Sequence, residues 1–337
     1  MRGIGLAAAS ACLSAATRVR RALHAAGLLP VASLPAPVIS IGNLSAGGAG
    51  KTPLVEHAVR ELRTFGAKPV VLARGYGPKN GDAGLNDEGL LLAENLPGLV
   101  QRQGPDRAAS GRASLAAGEG DCFVLDDGLQ HLRLARDLDI VALDARDPFG
   151  GGLRREGRGG LRRAGAVVLT RASRADGAAL TASRREVARL CPGVPLAVAD
   201  HEPSSLVLLA GGREQPPASL RGRTVLACAG IADPWSFAGT LESLGARIAG
   251  ARWFRDHGLA DLSQMAEAFD DARRLGVDLV VVTQKDAVKL AASGGGPTPV
   301  PVSALRIRIR FREGEAELRE ALRAAIGRGR ARAEGAA

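Results

Sequence analysis

The sequence predicts an α/β protein with a parallel sheet covered by helices, followed by a second, smaller α/β domain. Short apolar runs alternate with longer helical patterns, and most of these runs lack polar residues, as expected for parallel strands buried on both faces. A glycine-rich loop after the first run, followed by a helical pattern, is typical of the same fold class. The predicted strands of the first domain are 37–42, 68–73, 121–126, 138–144, 166–170 and 194–199.

A second α/β pattern begins after a stretch rich in Gly, Pro and Ser. Asp233 and Pro234 are typical of the N-cap and first turn of a helix. Strict alternation of apolar residues and arginine over 305–312 predicts a strand with one arginine-lined face. The predicted elements are the strand 224–230, the helices 233–245 and 261–276, and the strands 277–283 and 305–312.

These patterns divide the chain into five segments. They are an amphipathic N-terminal helix (1–30), the larger domain (31–200), a linker or exposed hairpin (201–223), the smaller domain (224–325) and a disordered basic tail (326–337).

Composition narrows the choice of partners. The 337 residues carry a formal net charge of +10, which favours an anionic partner such as nucleic acid, acidic lipid or a phosphorylated substrate. A nucleic-acid-binding ATPase would interleave cations with stacking aromatics, whereas the single Tyr and seven Phe are scattered, so we expect no nucleic-acid partner. The four cysteines are far apart, which suits a reducing cytoplasm.

The N-terminal segment has two interpretations. It is too short and too interrupted by serine to span a bilayer, which takes about 20 apolar residues. On a helical wheel Cys12, Val19 and Leu23 share one face, and Arg18 and Arg21 lie away from it. The helix either packs on the domain or lies in a membrane interface with its arginines near anionic headgroups.

The loop "SAGGAGKT" predicts a phosphate site of the P-loop NTPase type. Its glycines let backbone N–H groups converge on a phosphate, its lysine supplies a positive charge, and its threonine offers a hydroxyl to Mg²⁺. The motif departs from its strict form because serine replaces the first glycine. The candidate nucleotide-binding residues are Ser45, Ala46, Gly47, Gly48, Ala49, Gly50, Lys51 and Thr52.

Two adjacent carboxylates, Asp126 and Asp127, end the strand 121–126. Such a pair is costly unless a cation or hydrogen-bond donors neutralise it, so we expect it to hold Mg²⁺ beside the loop. A guanine-reading N-K-x-D motif is missing, because Asp286 directly follows Lys285. The residues alone therefore predict a nucleoside triphosphate, Mg²⁺ and phosphoryl transfer or hydrolysis, and they disfavour a guanine-specific switch.

Seven blocks in order resemble the motifs of the tetraacyldisaccharide 4'-kinases, the lipid A 4'-kinases of Gram-negative bacteria. The most specific are "GNLSAGGAGKTP" and "DDGLQH", and the others are "ARGYG", "NDEGLLLA", "AGIADPWSF", "FRDHG" and "TQKDAVKL". The resemblance implies transfer of the γ-phosphate of ATP to the 4'-hydroxyl of a tetraacyldisaccharide 1-phosphate. It also implies a peripheral enzyme on the cytoplasmic face of the inner membrane, with an anionic membrane surface as partner. We expect a monomer whose smaller domain closes over the active site.

The resemblance assigns roles to individual residues. Lys51 and Asp127 are catalytic, and Gln130 and His131 line the nucleotide site. Asp87 matches the catalytic base and His257 its orienting partner. The metal set is Thr52, Asp126 and Glu156.

Two departures from the family pattern stand out. The segment 150–165 is shorter than usual, which affects the alignment of Glu156, and Gln284 replaces the usual Glu. Another reading keeps the P-loop chemistry but makes the protein a kinase or ligase for a soluble metabolite. It predicts no membrane affinity and a buried N-terminal helix.

Overall fold

The computed structural model describes residues 17–24, 26–45, 49–75, 85–149, 155–255, 258–259, 262–292 and 298–335. It divides the chain into two compact units. The first unit comprises Met1–Leu85, Leu96–His201 and Ile309–Ala337, and the second comprises Asn86–Asn95 and Glu202–Arg308.

The described strands, in chain order, are β1 Val38–Gly42, β2 Pro69–Ala73, β3 Val100–Gln103, β4 Cys122–Asp126, β5 Leu138–Asp144, β6 Ala166–Thr170, β7 Leu196–Leu208, β8 Glu214–Gln215, β9 Thr224–Ala229, β10 Arg247–Trp253, β11 Leu279–Thr283 and β12 Val302–Glu313. The helices are α1 Lys51–Thr64, α2 Asp87–Asn95, α3 Arg107–Ala116, α4 Gly177–Leu190, α5 Pro234–Ser243, α6 Ala266–Arg274, α7 Gln284–Ala292 and α8 Glu315–Glu334. Residues 17–24 are also helical, and short 3₁₀ turns occur at Arg158–Arg163, Ala172–Arg174, Pro217–Leu220 and Leu262–Met265.

The first unit contains a parallel sheet in the order β7–β6–β5–β1–β4–β2–β3. Its central strand β1 is apolar because both faces are covered, and Val38, Ile39 and Ile41 have no exposed surface. Ile41 of β1 aligns with Asp126 of β4. The loop after β1 and the carboxylates after β4 therefore leave the sheet at the same edge.

The second unit contains four parallel strands in the order β10–β9–β11–β12. Its core packs β9 and β11 against α6 through residues such as Leu226, Val280 and Phe269. The helix α2 belongs to this unit, where it packs against α7, although its sequence lies within the predicted larger domain. The observed units therefore differ from the expected bounds at α2 and again after residue 308.

The sequence missed two strands of the parallel sheets. β3 consists of the half-buried, mostly polar residues VQRQ, and β10 alternates between exposed and half-buried positions. Each is an edge strand, because one of its two sides has no neighbouring strand among the described residues. A rule that selects continuous apolar runs finds central strands and overlooks such edges.

The expected linker 201–223 is instead ordered. β7 extends through Leu208 and pairs antiparallel with β8, so the hairpin interpretation of this stretch is confirmed. Leu206 and Leu220 are 1% and 0% exposed and pack in the core of the second unit. Burial of these two side chains, which the Gly- and Pro-rich composition concealed, explains the order.

The expected disordered tail from residue 326 is also wrong. α8 continues to Glu334, and Leu322, Ala325 and Ile326 are buried. Gly329 lies against Pro37, and a Cβ added at Gly329 would come within 2.5 Å of the Pro37 Cα. The stretch expected to be disordered therefore includes a glycine that allows α8 to approach the chain before β1 closely.

This contact predicts opposite effects for two glycines of α8. Gly329→Ala should lower the free energy of unfolding by about 1–3 kcal/mol, because the added methyl overpacks the contact with Pro37. Gly327→Ala is the matched control, because Gly327 is exposed and has no atom within 4 Å of an added Cβ. It should raise stability by up to about 1 kcal/mol through helix propensity. Thermal unfolding of both variants measures the difference, and equal melting temperatures would contradict the packing.

Candidate active site

The glycine-rich loop joins β1 to α1. Asn43 follows β1 and is fully buried, and its amide donates a 3.3 Å hydrogen bond to the Ser45 hydroxyl. Its Oδ1 accepts a 3.3 Å hydrogen bond from Lys51 Nζ. Lys51 is the first residue of α1, so its side chain starts where backbone N–H groups and the helix dipole attract anions. The predicted loop residues Ala46, Gly47 and Gly48 lie outside the described residues.

The side chains of Thr170 and His201 contact the end of this loop. The Thr170 hydroxyl, at the end of β6, donates a 2.9 Å hydrogen bond to the Ala49 carbonyl. Gly50 adopts a left-handed conformation with φ 70°, and a Cβ added there would overlap the His201 ring. Removal from water, reinforced by the positive charges of nearby arginines, lowers the pKa of His201 to about 4. The ring that abuts Gly50 is therefore neutral at physiological pH.

The two carboxylates after β4 lie close to the start of α1. Asp126 is 4% exposed, and Asp127 Oδ1 lies 3.4 Å from Lys51 Nζ. The other carboxylate oxygen of Asp127 pairs with Arg155. Burial opposes ionisation of Asp127, but the positive charges of Lys51 and Arg155 outweigh it and lower the pKa of this carboxyl. The site therefore holds an ionised carboxylate beside the lysine of the loop.

A buried arginine braces the turn that carries these carboxylates. Asp127 has φ 52°, an unfavourable backbone conformation for a residue with a side chain. Arg107, at the start of α3 and 3% exposed, donates to the Asp126 carbonyl at 2.8 Å and to the Asp127 carbonyl at 3.3 Å. The strained turn persists because this guanidinium satisfies both carbonyl oxygens.

Gln130 connects the loop to Glu156. Its side-chain amide donates to the Asn43 carbonyl at 2.9 Å and to Glu156 Oε1 at 3.1 Å. Glu156 is 1% exposed, and Arg163 donates to its Oε1 at 2.8 Å. The structure thus places Glu156 in one network with the loop, in spite of the shortened segment before it. Its assignment as a metal ligand stays a prediction.

His131 lies next to Gln130 but has different surroundings. Burial, together with the positive charges of Arg107 and Arg136, lowers the pKa of His131 to about 4. The ring is therefore a neutral hydrogen-bonding group at physiological pH. Its predicted contact with the nucleotide remains a prediction.

The N-terminal helical residues contact this network through polar groups. The Thr17 hydroxyl donates a 3.0 Å hydrogen bond to the Arg155 carbonyl, and Arg20 donates to the Gln130 carbonyl. Arg21 lies 3.7 Å from Glu156 Oε2. Val19 and Leu23, the described residues of the predicted apolar face, are 61% and 36% exposed, whereas Cys12 lies outside the described residues.

Asp87 belongs to the second unit, at the start of α2. The Asn86 side chain caps this helix by accepting a 2.9 Å hydrogen bond from the Gly89 N–H. Asp87 Oδ2 lies 3.3 Å from Lys289 Nζ, on α7. Its predicted partner His257 lies outside the described residues, so their pairing stays a prediction.

The residues assigned to Mg²⁺ have the right chemistry but form a sparse set. Thr52 is half-buried in the first turn of α1, and Asp126 ends β4. Within the described part of the chain, no group of three or more His, Cys, Asp or Glu residues could hold a metal ion. Mg²⁺ usually binds one or two carboxylates together with substrate phosphates, and the assignment of these residues to the metal stays a prediction.

Several residues of this site escaped the sequence analysis. Asn43 and Thr170 follow or end predicted strands, so a search for polar residues at the carboxyl ends of parallel strands would have selected them. The same search would have included His201, two positions after the predicted strand 194–199. Arg107 carries no such signal, because a long-range contact alone brings it to the carboxylates.

The chain is similar in sequence to proteins of one known family. Residues 3–327 match the family model described as tetraacyldisaccharide-1-P 4'-kinase. A tetraacyldisaccharide 4'-kinase of Anaeromyxobacter sp. (strain K) is 41% identical over 313 residues, which cover 87% of this chain and 82% of the relative. The Geobacter sulfurreducens protein of the same name is 37% identical over 314 residues, covering 86% of this chain and 85% of the relative.

A solved structure shares the fold. LpxK from Aquifex aeolicus, crystallised in complex with ATP, superimposes with a TM-score of 0.74 at 28% sequence identity. The alignment covers 97% of this chain and all of that one. With a family model that spans nearly the whole chain, these similarities show that the chain belongs to the tetraacyldisaccharide-1-P 4'-kinase family.

Proposed function

We propose that this protein is an ATP-dependent lipid kinase. It transfers the γ-phosphate of ATP to the 4'-hydroxyl of a tetraacyldisaccharide 1-phosphate, which yields the bisphosphorylated lipid A precursor. The observation that carries the proposal is the contact of Lys51 with Asp127 at the start of α1, in a chain of this family. P-loop enzymes that transfer phosphoryl groups place a lysine at the phosphates and an aspartate near the metal ion, and Lys51 and Asp127 supply these two residue types at the start of α1.

The first unit binds the nucleotide in this proposal. Lys51 leaves Asp127 and Asn43 when ATP enters and neutralises its terminal phosphates. The Thr52 hydroxyl and the Asp126 carboxylate are the residues that would hold Mg²⁺, which supplies positive charge to the transferring phosphoryl group. Gln130 and Arg107 hold the Asn43 carbonyl and the turn at Asp126 and Asp127 in place before ATP arrives, which limits the reorganisation of these groups during the reaction.

The second unit supplies the base. The 4'-oxygen bonds to the γ-phosphorus as the bond to the β,γ-bridging oxygen breaks, ADP departs, and the hydroxyl proton passes to the Asp87 carboxylate. A sugar hydroxyl is a weak nucleophile, so a carboxylate within hydrogen-bond reach lowers the barrier. His257 is assigned as the partner that orients Asp87.

An exposed apolar strip favours a lipid acceptor over a soluble metabolite. Val19, Leu23, Leu28 and Val31 are 61%, 36%, 70% and 48% exposed, and arginines flank the first two. Among the described residues, no helix has both the length and the apolar character needed to span a bilayer. We propose that this strip rests in the interface of the inner membrane, on its cytoplasmic face, with arginines near anionic headgroups.

The direct test is an assay of the purified full chain with labelled ATP, Mg²⁺ and the tetraacyldisaccharide 1-phosphate, followed by chromatography. We expect a bisphosphorylated lipid and no phosphorylation of the free disaccharide. Lys51→Met should lower turnover by about 10²-fold or more, because one phosphate-stabilising charge is lost. Lys68→Met, at an exposed lysine of the same unit, is the control and should keep wild-type turnover. Phosphorylation of the free sugar alone would favour the soluble-metabolite kinase.

A second prediction concerns the shape of the phosphate loop. Gly50→Ala should weaken ATP binding about tenfold or more, because the new methyl meets His201 and an L-residue strains at φ 70°. Gly66→Ala is the matched control, since Gly66 has φ 74° but no atom within 4 Å of an added Cβ. It should keep wild-type affinity for ATP. Titration calorimetry with ATP measures both, and unchanged affinity in Gly50→Ala would contradict the role of this contact.

A third prediction tests the interfacial strip. Replacing Val19 and Leu23 with Asp should lower partitioning onto vesicles with anionic lipids about tenfold, because apolar contact area is replaced by like charge. Leu275→Asp, at a residue of the second unit that is 36% exposed, should leave partitioning unchanged. Cosedimentation at several salt concentrations measures the effect. Equal sedimentation of the double variant and the wild type would remove the membrane proposal.

A further inference from the structure

The helices α2 and α7 of the second unit are joined by polar contacts near both ends of α2. At its C-terminal end the Gln284 amide, 4% exposed, donates to Asn95 Oδ1 at 2.6 Å and to Glu94 Oε2 at 3.0 Å. At its N-terminal end Lys289 pairs with Asp87. Two attachments this far apart prevent α2 from sliding or rotating on α7, so they fix the direction in which Asp87 leaves the helix.

Lys289 is an unusual lysine. It is 8% exposed, and its Nζ lies 3.3 Å from Asp87 Oδ2 and 3.8 Å from Asp286 Oδ1. A lysine is rarely buried unless it is paired, because its ammonium loses water on burial. Here one ammonium lies between two carboxylates, only one of which has been assigned a role in the reaction.

Asp286 is anchored more firmly than Lys289. Its side chain has no exposed surface, and its Oδ2 accepts hydrogen bonds from the Thr283 hydroxyl at 2.6 Å and from the Gly230 N–H at 3.0 Å. Thr283 ends β11 and Gly230 directly follows β9, so both donors belong to the sheet of the second unit. The position of Lys289 is thus tied to the sheet through Asp286, and that of Asp87 to the sheet through Lys289.

Stability alone is a weak reason for such a chain of charges. Well-packed apolar residues often replace a buried ion pair without loss of stability, because desolvation offsets the attraction between the charges. A buried cation that holds a carboxylate in one orientation can instead serve the reaction, if that carboxylate must accept a proton from the acceptor hydroxyl. Orientation matters because misplacement of a reacting group by about 1 Å lowers the rate by roughly 10²-fold.

We propose that Lys289, held by Asp286, is a positioning residue that orients the Asp87 carboxylate toward the acceptor hydroxyl. The inference rests on the proposed function, in which Asp87 accepts the proton. Lys289 touches neither ATP nor the acceptor in this role and acts only through Asp87.

The test measures steady-state kinetics of the full chain with Mg²⁺, ATP and the lipid acceptor in detergent micelles. Lys289→Met should lower kcat about 10- to 100-fold, while the KM for ATP changes less than about twofold. Lys289→Arg keeps the charge and should restore most of the turnover. Arg273→Met removes an exposed cation of the same unit, paired only with its neighbour Asp270 in the described contacts, and should behave as the wild type.

A double-mutant cycle shows whether Lys289 acts through Asp87. Asp87→Ala alone should lower kcat by about 10²-fold or more, and adding Lys289→Met to it should cause no further loss. If Lys289→Met does not fold because Asp286 is left unpaired, the variant Asp286→Asn with Lys289→Met removes both buried charges and takes its place. Thermal unfolding verifies that each variant is folded.

Each remaining outcome has a defined meaning. If Asp87→Ala is slow but Lys289→Met turns over as the wild type, the positioning role is wrong and the base assignment stands. A further loss in the double variant shows that Lys289 acts independently of Asp87, which also overturns the inference. Near-full turnover of Asp87→Ala would overturn both the base and the role of Lys289, and no bisphosphorylated product from the wild type would overturn the proposed function.

Discussion

The parallel pairing of β1 with β4 is the constraint on which the candidate site depends. Because the strands run side by side in the same direction, Ile41 lies opposite Asp126, and whatever follows each strand leaves the sheet at one edge. The loop and α1 follow β1, while Asp127 follows β4. Lys51 and Asp127 therefore meet although they are 76 positions apart in the sequence.

Charge compensation shapes this edge of the first unit. Asp127 pairs with Lys51 and Arg155, and Glu156 pairs with Arg163. Carboxylates with little exposed surface need such partners, and the planar guanidinium offers several donors to one of them. Part of the arginine excess thus serves to pair with carboxylates and orient them, in addition to any attraction for anionic partners.

Charge compensation also occurs in the second unit, at the Asp87 carboxylate. Asp87 starts a helix, where the dipole favours negative charge, and Lys289 adds a buried cation to it. α2 joins this unit because it packs on α7, although the chain before and after it belongs to the first unit. The segment Asn86–Asn95 thus places the proposed base on a different unit from the predicted nucleotide loop.

The sequence by itself determined the fold class and most of the parallel strands, and it predicted the residues that are proposed to carry the chemistry. Buried parallel strands must be apolar on both faces, and a phosphate loop needs Gly, Lys and Thr at fixed spacing, so both leave a local pattern. Three elements left weaker patterns in the sequence. Half-exposure obscured the edge strand β10, and glycines obscured the hairpin after residue 201 and the end of α8.

Only the tertiary structure decided which distant side chains support these residues. The strand order and helix packing bring three side chains to these positions. Arg107 contacts the turn at Asp127, His201 contacts Gly50, and Lys289 contacts Asp87. None of these three has a neighbour in the sequence that reveals its role. Local patterns in the sequence predict the groups proposed to meet the substrate, whereas the groups that hold them in position depend on contacts between distant parts of the chain.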